Sequence, residues 1–325
     1  MWLQLRMYML VAIMGFIIFA FLLFVGAALG YSGQSFVNYT VIMALGMMFL
    51  QYIIGPKTVE SSMQVRYVTE NEDPRLYQMV EEQAMNAGLK KVPKVGISPT
   101  PMPNAFAFGR SIGDARVCVT QGIRNLLSED ELKAVIGHEI SHVKHRDMAI
   151  ITLLSAIPMI AYYMYMSSLY SRGYSSSGNR NTIGASMVGI VALVIYGITN
   201  LLVMYGSRIR EYYADKGSVE IGNEPHQLAS ALYKLTYGTA KTPNQEVQRV
   251  EGIKAFFLND PTKAKGDFNE LTEVDSNMSG TIDRHELESV RQGGVRVGAS
   301  ASIMELMSTH PNMLKRIKHL SELSR

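Results

Sequence analysis

Three long stretches of this chain of 325 residues contain no Asp, Glu, Lys or Arg: residues 7–56, 148–171 and 181–207. They hold four apolar segments, at about 7–30, 37–55, 149–170 and 182–206. A helix needs roughly 20 apolar residues to cross the hydrocarbon core of a bilayer, and each segment meets that length. Charged residues make up only 18% of the chain, against about 25% in soluble proteins. The pattern therefore predicts four transmembrane helices and excludes both a fully soluble and a disordered chain.

The connections between these segments predict a topology. Loops 31–36 and 171–181 are short, so the segments are expected to pair into two transmembrane hairpins. The hairpins divide the chain into four parts: a hairpin at 1–56, a polar part at 57–147, a second hairpin at 148–206 and a second polar part at 207–325. Both polar parts therefore lie on the same side of the membrane. Because most of the Lys and Arg residues next to the segments lie on that side, the positive-inside rule places it in the cytoplasm.

The first segment has an alternative interpretation as a cleaved signal peptide. Arg6 precedes its apolar core, and small residues follow at 26–28. The core is longer than the 7–15 residues that are usual in a signal peptide, which favours a membrane helix.

The composition limits the possible partners and metal sites. A net charge of +3, without a run of basic residues, does not suit nucleic-acid binding. Cys118 is the single cysteine, so neither a disulfide framework nor a cysteine-based zinc site can form. The polar parts show strand-like alternation at 104–110 and 114–120 among mostly helical patterns. We therefore expect a mainly α-helical protein with a small β-sheet, in which any metal is held by His and carboxylate side chains.

One predicted helix carries a zinc-binding pattern. Ser128 and Glu131 form a capping box, and apolar residues at helical spacing follow it. His138 and His142 lie four residues apart on one helical face, where both imidazoles can reach one metal ion. Glu139 lies beside that face and can deprotonate a metal-bound water instead of binding the metal. The pattern predicts a catalytic zinc site, which needs a third protein ligand and an open fourth position.

A second predicted helix offers that third ligand. Glu211 and Asp215 share one helical face shortly after the fourth apolar segment. The predicted topology returns Glu211 to the membrane surface at which His138 and His142 lie, so Glu211 can complete the ligand set. Asp215 can accept a hydrogen bond from the outer nitrogen of a zinc-bound histidine and fix its orientation. We expect the site to lie at the membrane surface.

These motifs together resemble one protease family. His138-Glu-Ile-Ser-His142, a transmembrane hairpin and Glu211-Tyr-Tyr-Ala-Asp215, in that order, are similar to the HtpX-type membrane zinc metallopeptidases, which are relatives of the CAAX prenyl endoprotease. The resemblance extends to Asn104-Ala-Phe-Ala-Phe-Gly109 and to Thr309-His310-Pro311 with Arg316. It covers nearly the whole chain apart from about 258–295. It implies a gluzincin-like zinc metalloprotease domain combined with the transmembrane helices.

The resemblance also implies roles for individual residues. They are the zinc ligands His138, His142 and Glu211, the catalytic Glu139 and His310, the supporting Asp215 and Arg316, and the substrate-binding Asn104, Ala105 and Phe106. Glu139 would be the general base, and His310 would help to bind the carbonyl oxygen of the substrate. Asp215 and Arg316 would form a pair, and the strand that begins near Asn104 would pair with the substrate backbone. The family further implies quality control of membrane proteins in the inner membrane of a bacterium.

Residues 275–286 match a calcium-binding loop of the EF-hand type, which this protease family does not carry as a rule. The oxygen ligands would come from six positions: Asp275, Asn277, Ser279, Thr281, Asp283 and Glu286. Gly280 suits the sharp turn at the sixth position, and Thr281 would contribute its backbone carbonyl. Only three carboxylates are present and no partner loop is visible, which favours weak binding. The alternative is an acidic turn that binds no ion.

The leading functional hypothesis is an integral-membrane zinc endopeptidase that hydrolyses misfolded or damaged membrane proteins. Its partners would be membrane-protein or peptide substrates and the lipid bilayer, and its cofactors Zn²⁺ and, through the loop at 275–286, Ca²⁺. One alternative is a calcium-responsive membrane sensor or scaffold built on a protease frame, which the intact ligand set and base disfavour. The other is a CAAX-type peptidase of prenylated proteins. Four membrane segments fit the smaller bacterial proteases better.

Overall fold

The computed structural model describes residues 2–28, 34–148, 180–243, 263–293 and 308–324, together with short pieces at 150, 154, 158, 161–162, 164–166, 258 and 305. Most of the third predicted membrane segment, 149–170, lies outside the described residues. So does most of the loop predicted at 171–181.

Helices make up most of the described chain. In chain order they are α1 (Trp2–Ala28), α2 (Gln34–Ser62), α3 (Pro74–Asn86), α4 (Gln121–Leu126), α5 (Glu129–His145), α6 (Arg180–Glu220), α7 (Pro225–Ala240), α8 (Ala264–Leu271), α9 (Arg284–Arg291) and α10 (Met313–Leu323). The predicted start of α5 is confirmed, because Ser128 and Glu131 cap each other's backbone N–H groups. Such caps satisfy N–H groups that have no partner within the helix.

Four short strands form one mixed sheet. They are β1 (Arg66–Tyr67), β2 (Lys94–Ser98), β3 (Ala105–Phe108) and β4 (Arg116–Thr120), in the spatial order β1-β2-β4-β3. β2 and β4 run parallel, whereas the other two pairs are antiparallel. The alternating segments of the sequence contain β3 and β4, which confirms the small sheet. In the described sheet β3 is an edge strand.

Helix α5 lies at the centre of the core formed by the polar parts. It packs against α3, α7, β3 and β4. Every residue from Ala134 to Val143 is buried, including the apolar Val135, Ile136 and Ile140. A buried helix with apolar neighbours on several sides has little freedom to rotate, so the directions of its polar side chains are fixed by the packing.

The chain separates into two compact units, Met1–Gly55 with Ile150–Gly206 and Pro56–Ala149 with Ser207–Arg325. In the described part, two helical segments are long and apolar enough to cross a membrane, Leu5–Ala27 and Met187–Glu220. They overlap the first and fourth predicted segments. The second segment lies in α2 but is not among these candidates, and the third is largely outside the described residues. Four spans therefore stay a prediction.

Candidate metal centre

Three side chains from two helices converge at one point. Nε2 of His138 lies 3.2 Å from Nε2 of His142, both on α5. The carboxylate of Glu211, on α6, lies 3.5 Å from each of these nitrogens. All three side chains are buried. Among the described residues, they are the one group of His, Cys, Asp or Glu side chains close enough together to hold a metal ion.

Small residues allow α5 and α6 to approach closely. A Cβ atom added at Gly217 would lie 2.1 Å from Oγ of Ser141, so no larger residue fits there without a shift. One residue further along α6, the hydroxyl of Ser218 donates a 2.7 Å hydrogen bond to the carbonyl of Ala134. This tight crossing carries Glu211 to the histidine pair.

The outer nitrogens of both histidines face carboxylates. Nδ1 of His142 donates a 2.9 Å hydrogen bond to Oδ2 of Asp147, and Nδ1 of His138 lies 2.9 Å from Oδ1 of Asp215. A carboxylate accepts hydrogen bonds, so in the neutral imidazoles the proton lies on Nδ1 and each Nε2 presents a lone pair. Two lone pairs and a carboxylate that face one another repel unless a metal cation or protons on the imidazoles lie between them.

The distances suit zinc. Ligand atoms about 2.0–2.1 Å from a tetrahedral zinc lie about 3.3–3.4 Å from one another, close to the 3.2 and 3.5 Å found here. Oε2 of Glu211 is buried and has no hydrogen-bond partner within the described part of the chain. A buried carboxylate oxygen that accepts no hydrogen bond is costly, and a metal ion would reduce that cost. The three residues can therefore hold a metal.

The electrostatic surroundings of the two histidines favour positive charge. Burial alone would lower their pKa values, but the carboxylates of Asp215 and Glu211 raise the pKa of His138. Asp147 and Glu211 likewise raise the pKa of His142 to about 10 despite its burial. A metal must displace protons from these imidazoles, so its apparent affinity is expected to increase as the pH rises.

A buried arginine joins Asp215 and Glu211. Arg316, on α10, donates through Nε and Nη2 to the two oxygens of Asp215 at 2.9 and 2.6 Å. Its Nη1 donates to the carbonyl of Leu258 at 2.8 Å and lies 3.3 Å from Oε2 of Glu211. A planar guanidinium suits such a two-point contact. The pair of Asp215 and Arg316 that the resemblance implies is thus present.

The two residues implied to be catalytic are also buried. Glu139 follows His138 on α5 and is 4% exposed. Nδ1 of His310 lies 3.6 Å from Oε2 of Glu211, and neither nitrogen of His310 has a hydrogen-bond partner among the described residues. Arg208, on α6, donates to the carbonyl of Ser308 at 2.7 Å and so holds the segment before His310.

Three buried residues beside the site were not predicted from the sequence: Asp147, Arg208 and Arg210. Asp147 follows the end of α5 and lies five residues after His142, a spacing that matches no face of a helix. Arg146, between the helix and Asp147, has a left-handed backbone with φ of 61°. That turn brings the Asp147 carboxylate back to His142. Arg208 and Arg210 lie on α6 shortly before the predicted ligand Glu211. Their closeness to Glu211 in the sequence is the one signal that could have predicted their place at the site.

The residues implied to bind substrate lie at or beside the edge strand β3. Ala105 and Phe106 are buried, and Phe106 packs in an apolar cluster with Met102 and Phe108. Asn104 is fully buried, and its Oδ1 accepts a 3.0 Å hydrogen bond from the backbone N–H of Leu258. A substrate could therefore pair with the backbone of this strand but not with these buried side chains, and its pairing stays a prediction.

The loop predicted to bind calcium satisfies its oxygens internally. Asp275 accepts hydrogen bonds from the backbone N–H groups of Ser279 and Gly280, each at 2.9 Å. Asp283 and Glu286 cap each other's backbone N–H groups at the start of α9. Gly280 has a positive φ of 78°, as expected for the sharp turn. These carboxylates do not gather into a metal-binding group, and calcium binding stays a prediction from the sequence.

The sequence relatives of this chain are proteases. The Protease HtpX homolog of Methanothermobacter thermautotrophicus is 52% identical over 233 residues, which cover 72% of this chain and 85% of that protein. The Protease HtpX homolog of Moorella thermoacetica is 35% identical over 312 residues, covering 95% of this chain and 91% of that protein.

A solved structure has a similar fold, and a family model matches most of the chain. The crystal structure of Ste24p from S. mikatae has a TM-score of 0.51 at 17% identity, which indicates a similar fold. The match covers 95% of this chain and 63% of that one, so this chain spans less than two thirds of Ste24p. The model described as Peptidase family M48 matches residues 70–324. The chain therefore belongs to peptidase family M48, among its HtpX-type membrane metalloproteases.

Proposed function

We propose that this metalloprotease is a zinc-dependent endopeptidase that cleaves misfolded or damaged membrane proteins. The observation that carries the proposal is the convergence of His138, His142 and Glu211, with two imidazole lone pairs directed at one point beside a carboxylate. Zinc prefers such nitrogen and oxygen ligands in a tetrahedral arrangement. Glu139 directly follows the ligand His138 on α5, and Nδ1 of His310 lies 3.6 Å from Oε2 of the ligand Glu211.

The proposed mechanism assigns the proton transfers to side chains of this chain. Bound zinc would supply a Lewis acid that lowers the pKa of a water to about 7 and polarises the substrate carbonyl. Glu139 accepts a proton from the attacking water and passes it to the leaving nitrogen as the C–N bond breaks. His310 donates a hydrogen bond to the oxygen that becomes negative. The edge strand β3 orients the substrate by pairing with its backbone.

Metal analysis of the purified protein tests the proposed zinc site. We expect one zinc per chain in the natural protein and almost none in His138→Ala or Glu211→Ala, because each change removes a ligand atom from a three-ligand set. Glu220→Ala is the matched control, since Glu220 is an exposed glutamate on the same helix. It is expected to retain full zinc. Stoichiometric zinc in Glu211→Ala would exclude Glu211 as a ligand.

We further propose four transmembrane helices in the bacterial inner membrane, with the catalytic domain in the cytoplasm. Two apolar helices support the membrane spans. The excess of basic residues next to the apolar segments, on the side of the polar parts, supports the orientation. A cysteine introduced into the loop at 171–181, in a Cys118→Ala background, is expected to react with a membrane-impermeant thiol reagent from outside the inner membrane. A cysteine introduced at exposed Lys144 is the cytoplasmic control. Labelling of the loop from the cytoplasm alone would contradict the topology.

The calcium prediction belongs to the same proposal. Bound calcium would order residues 275–286, and α8, just before this loop, contacts the segment after His310 through the 2.8 Å hydrogen bond from Asn312 to Glu270. We expect calcium to change the cleavage rate of the natural protein and not that of Asp275→Asn with Glu286→Gln. Titration of both proteins with calcium, at fixed zinc, measures this difference. An identical response of the two proteins would exclude the loop as the calcium site.

A prenylated substrate is the competing proposal. The resemblance to relatives of the CAAX prenyl endoprotease supports it, since the likeness to Ste24p, at 17% identity, concerns the fold alone. The sequence relatives named as HtpX homologs favour the first proposal. Cleavage of a prenylated peptide in clear preference to an unprenylated membrane protein would favour prenylated proteins over misfolded membrane proteins as the substrates.

A further inference from the structure

His142 is the zinc-helix histidine that most needs an external anchor. It lies three residues before the end of α5 at His145, where the last carbonyls of a helix lack intrahelical partners and the backbone is less constrained. His138 lies one turn further into the helix and is fully buried, whereas His142 is 7% exposed. Packing therefore fixes the ring of His142 less firmly than that of His138.

Asp147 supplies such an anchor from beyond the helix. Its carboxylate is 1% exposed and accepts the 2.9 Å hydrogen bond from Nδ1 of His142. The left-handed Arg146 reverses the chain between the two residues. By contrast, Nδ1 of His138 lies close to Asp215 without forming a well-aligned hydrogen bond, and Asp215 is held by the two-point contact of Arg316. Of the two histidines, His142 is thus the one whose Nδ1 forms a well-aligned hydrogen bond with a carboxylate.

Arg210 provides the countercharge for Asp147. Its Nε lies 3.3 Å from Oδ2 of Asp147, and both side chains are buried. Arg210 directly precedes Glu211 on α6, so the same turn of helix that brings the carboxylate ligand also brings the cation that balances Asp147. A buried carboxylate without such a partner would be costly.

We propose that Asp147 is a positioning residue for the metal site, and that Arg210 holds it in place. The hydrogen bond keeps the proton of His142 on Nδ1 and directs the lone pair of Nε2 toward the metal. Each zinc-helix histidine then has its own carboxylate behind it, Asp147 for His142 and Asp215 for His138. The inference rests on the proposed zinc site, and it adds a residue to it that neither the zinc-binding pattern nor the resemblance includes.

Zinc affinity, measured by competition with a colorimetric chelator on the full-length protein in detergent, tests the proposal. We expect Asp147→Ala to weaken zinc binding by about 10–100-fold, the range usual for the loss of a carboxylate behind a metal-bound histidine. Asp147→Asn is expected to lose less, because its amide oxygen can still accept the hydrogen bond from Nδ1. Asp130→Ala, an exposed aspartate at the other end of α5, is the matched control.

The outcomes separate this inference from the zinc proposal. A natural protein that binds no zinc would overturn the proposed site itself. A natural protein that binds zinc, beside an Asp147→Ala protein of equal affinity, would overturn only the role of Asp147. If Asp147→Ala does not fold because Arg210 is left uncompensated, Asp147→Ala with Arg210→Met removes both charges and takes its place. Equal affinity losses in Asp147→Asn and Asp147→Ala, with equal losses of thermal stability, would indicate a purely structural role and contradict the proposal.

Discussion

Replacing Glu139 by glutamine is expected to reduce peptide cleavage by about 10²–10⁴-fold, the usual contribution of a general base. Glutamine has nearly the same size as glutamate but cannot accept a proton from the attacking water. Glu139 is buried on α5, directly after His138, and is not part of the converging ligand group. Zinc content should therefore stay at that of the natural protein. Cleavage of a reporter membrane protein and metal analysis of the same preparation measure both quantities.

The control for this prediction is Glu129→Gln on the same helix. Glu129 is exposed and pairs with exposed Arg75, so its change should leave cleavage and zinc content unaltered. A Glu139→Gln protein that cleaves as fast as the natural one would remove Glu139 from the mechanism. If that protein instead lost its zinc, Glu139 would contribute to metal binding and the cleavage result would have a different cause.

The parts of the site that follow from local spacing could be predicted from the sequence. His138 and His142 are four residues apart, and Ser128 caps their helix. Both features can therefore be predicted from one continuous segment of the sequence. The encounter of α5 with Glu211 required an inference about topology, since about seventy residues separate them. It could be made because the apolar segments between them predict a hairpin that returns the chain.

Other parts depend on contacts that no spacing reveals. Asp147 reaches His142 only because Arg146 adopts a left-handed backbone, and nothing in the residue type of Arg146 signals that conformation. The close crossing of α5 and α6 likewise depends on small residues, Ser141 and Gly217, that are far apart in the chain and face each other where the helices cross. The strands β1 and β2 are only two and five residues long, so their pairing is set by the sheet and not by local preference.

Replacing Arg316 by methionine is expected to cost about 3–5 kcal/mol of unfolding free energy, because it leaves buried carboxylates without their countercharge. Arg316 is fully buried and contacts both Asp215 and Glu211. Methionine has a similar length and can fill most of the space, so loss of packing contributes less than loss of charge. Thermal and denaturant unfolding, measured after zinc removal by a chelator, isolates this effect from metal binding.

An exposed arginine offers a direct comparison. Arg291 pairs with Glu288 on the surface of α9, and Arg291→Met should change stability by at most about 1 kcal/mol. Equal effects of the two changes would mean that burial does not amplify the charge interaction at Arg316. Combining Arg316→Met with Asp215→Asn should restore part of the lost stability, because a neutral amide needs no countercharge. A double variant no more stable than Arg316→Met would mean that the unpaired charge of Asp215 does not account for the loss.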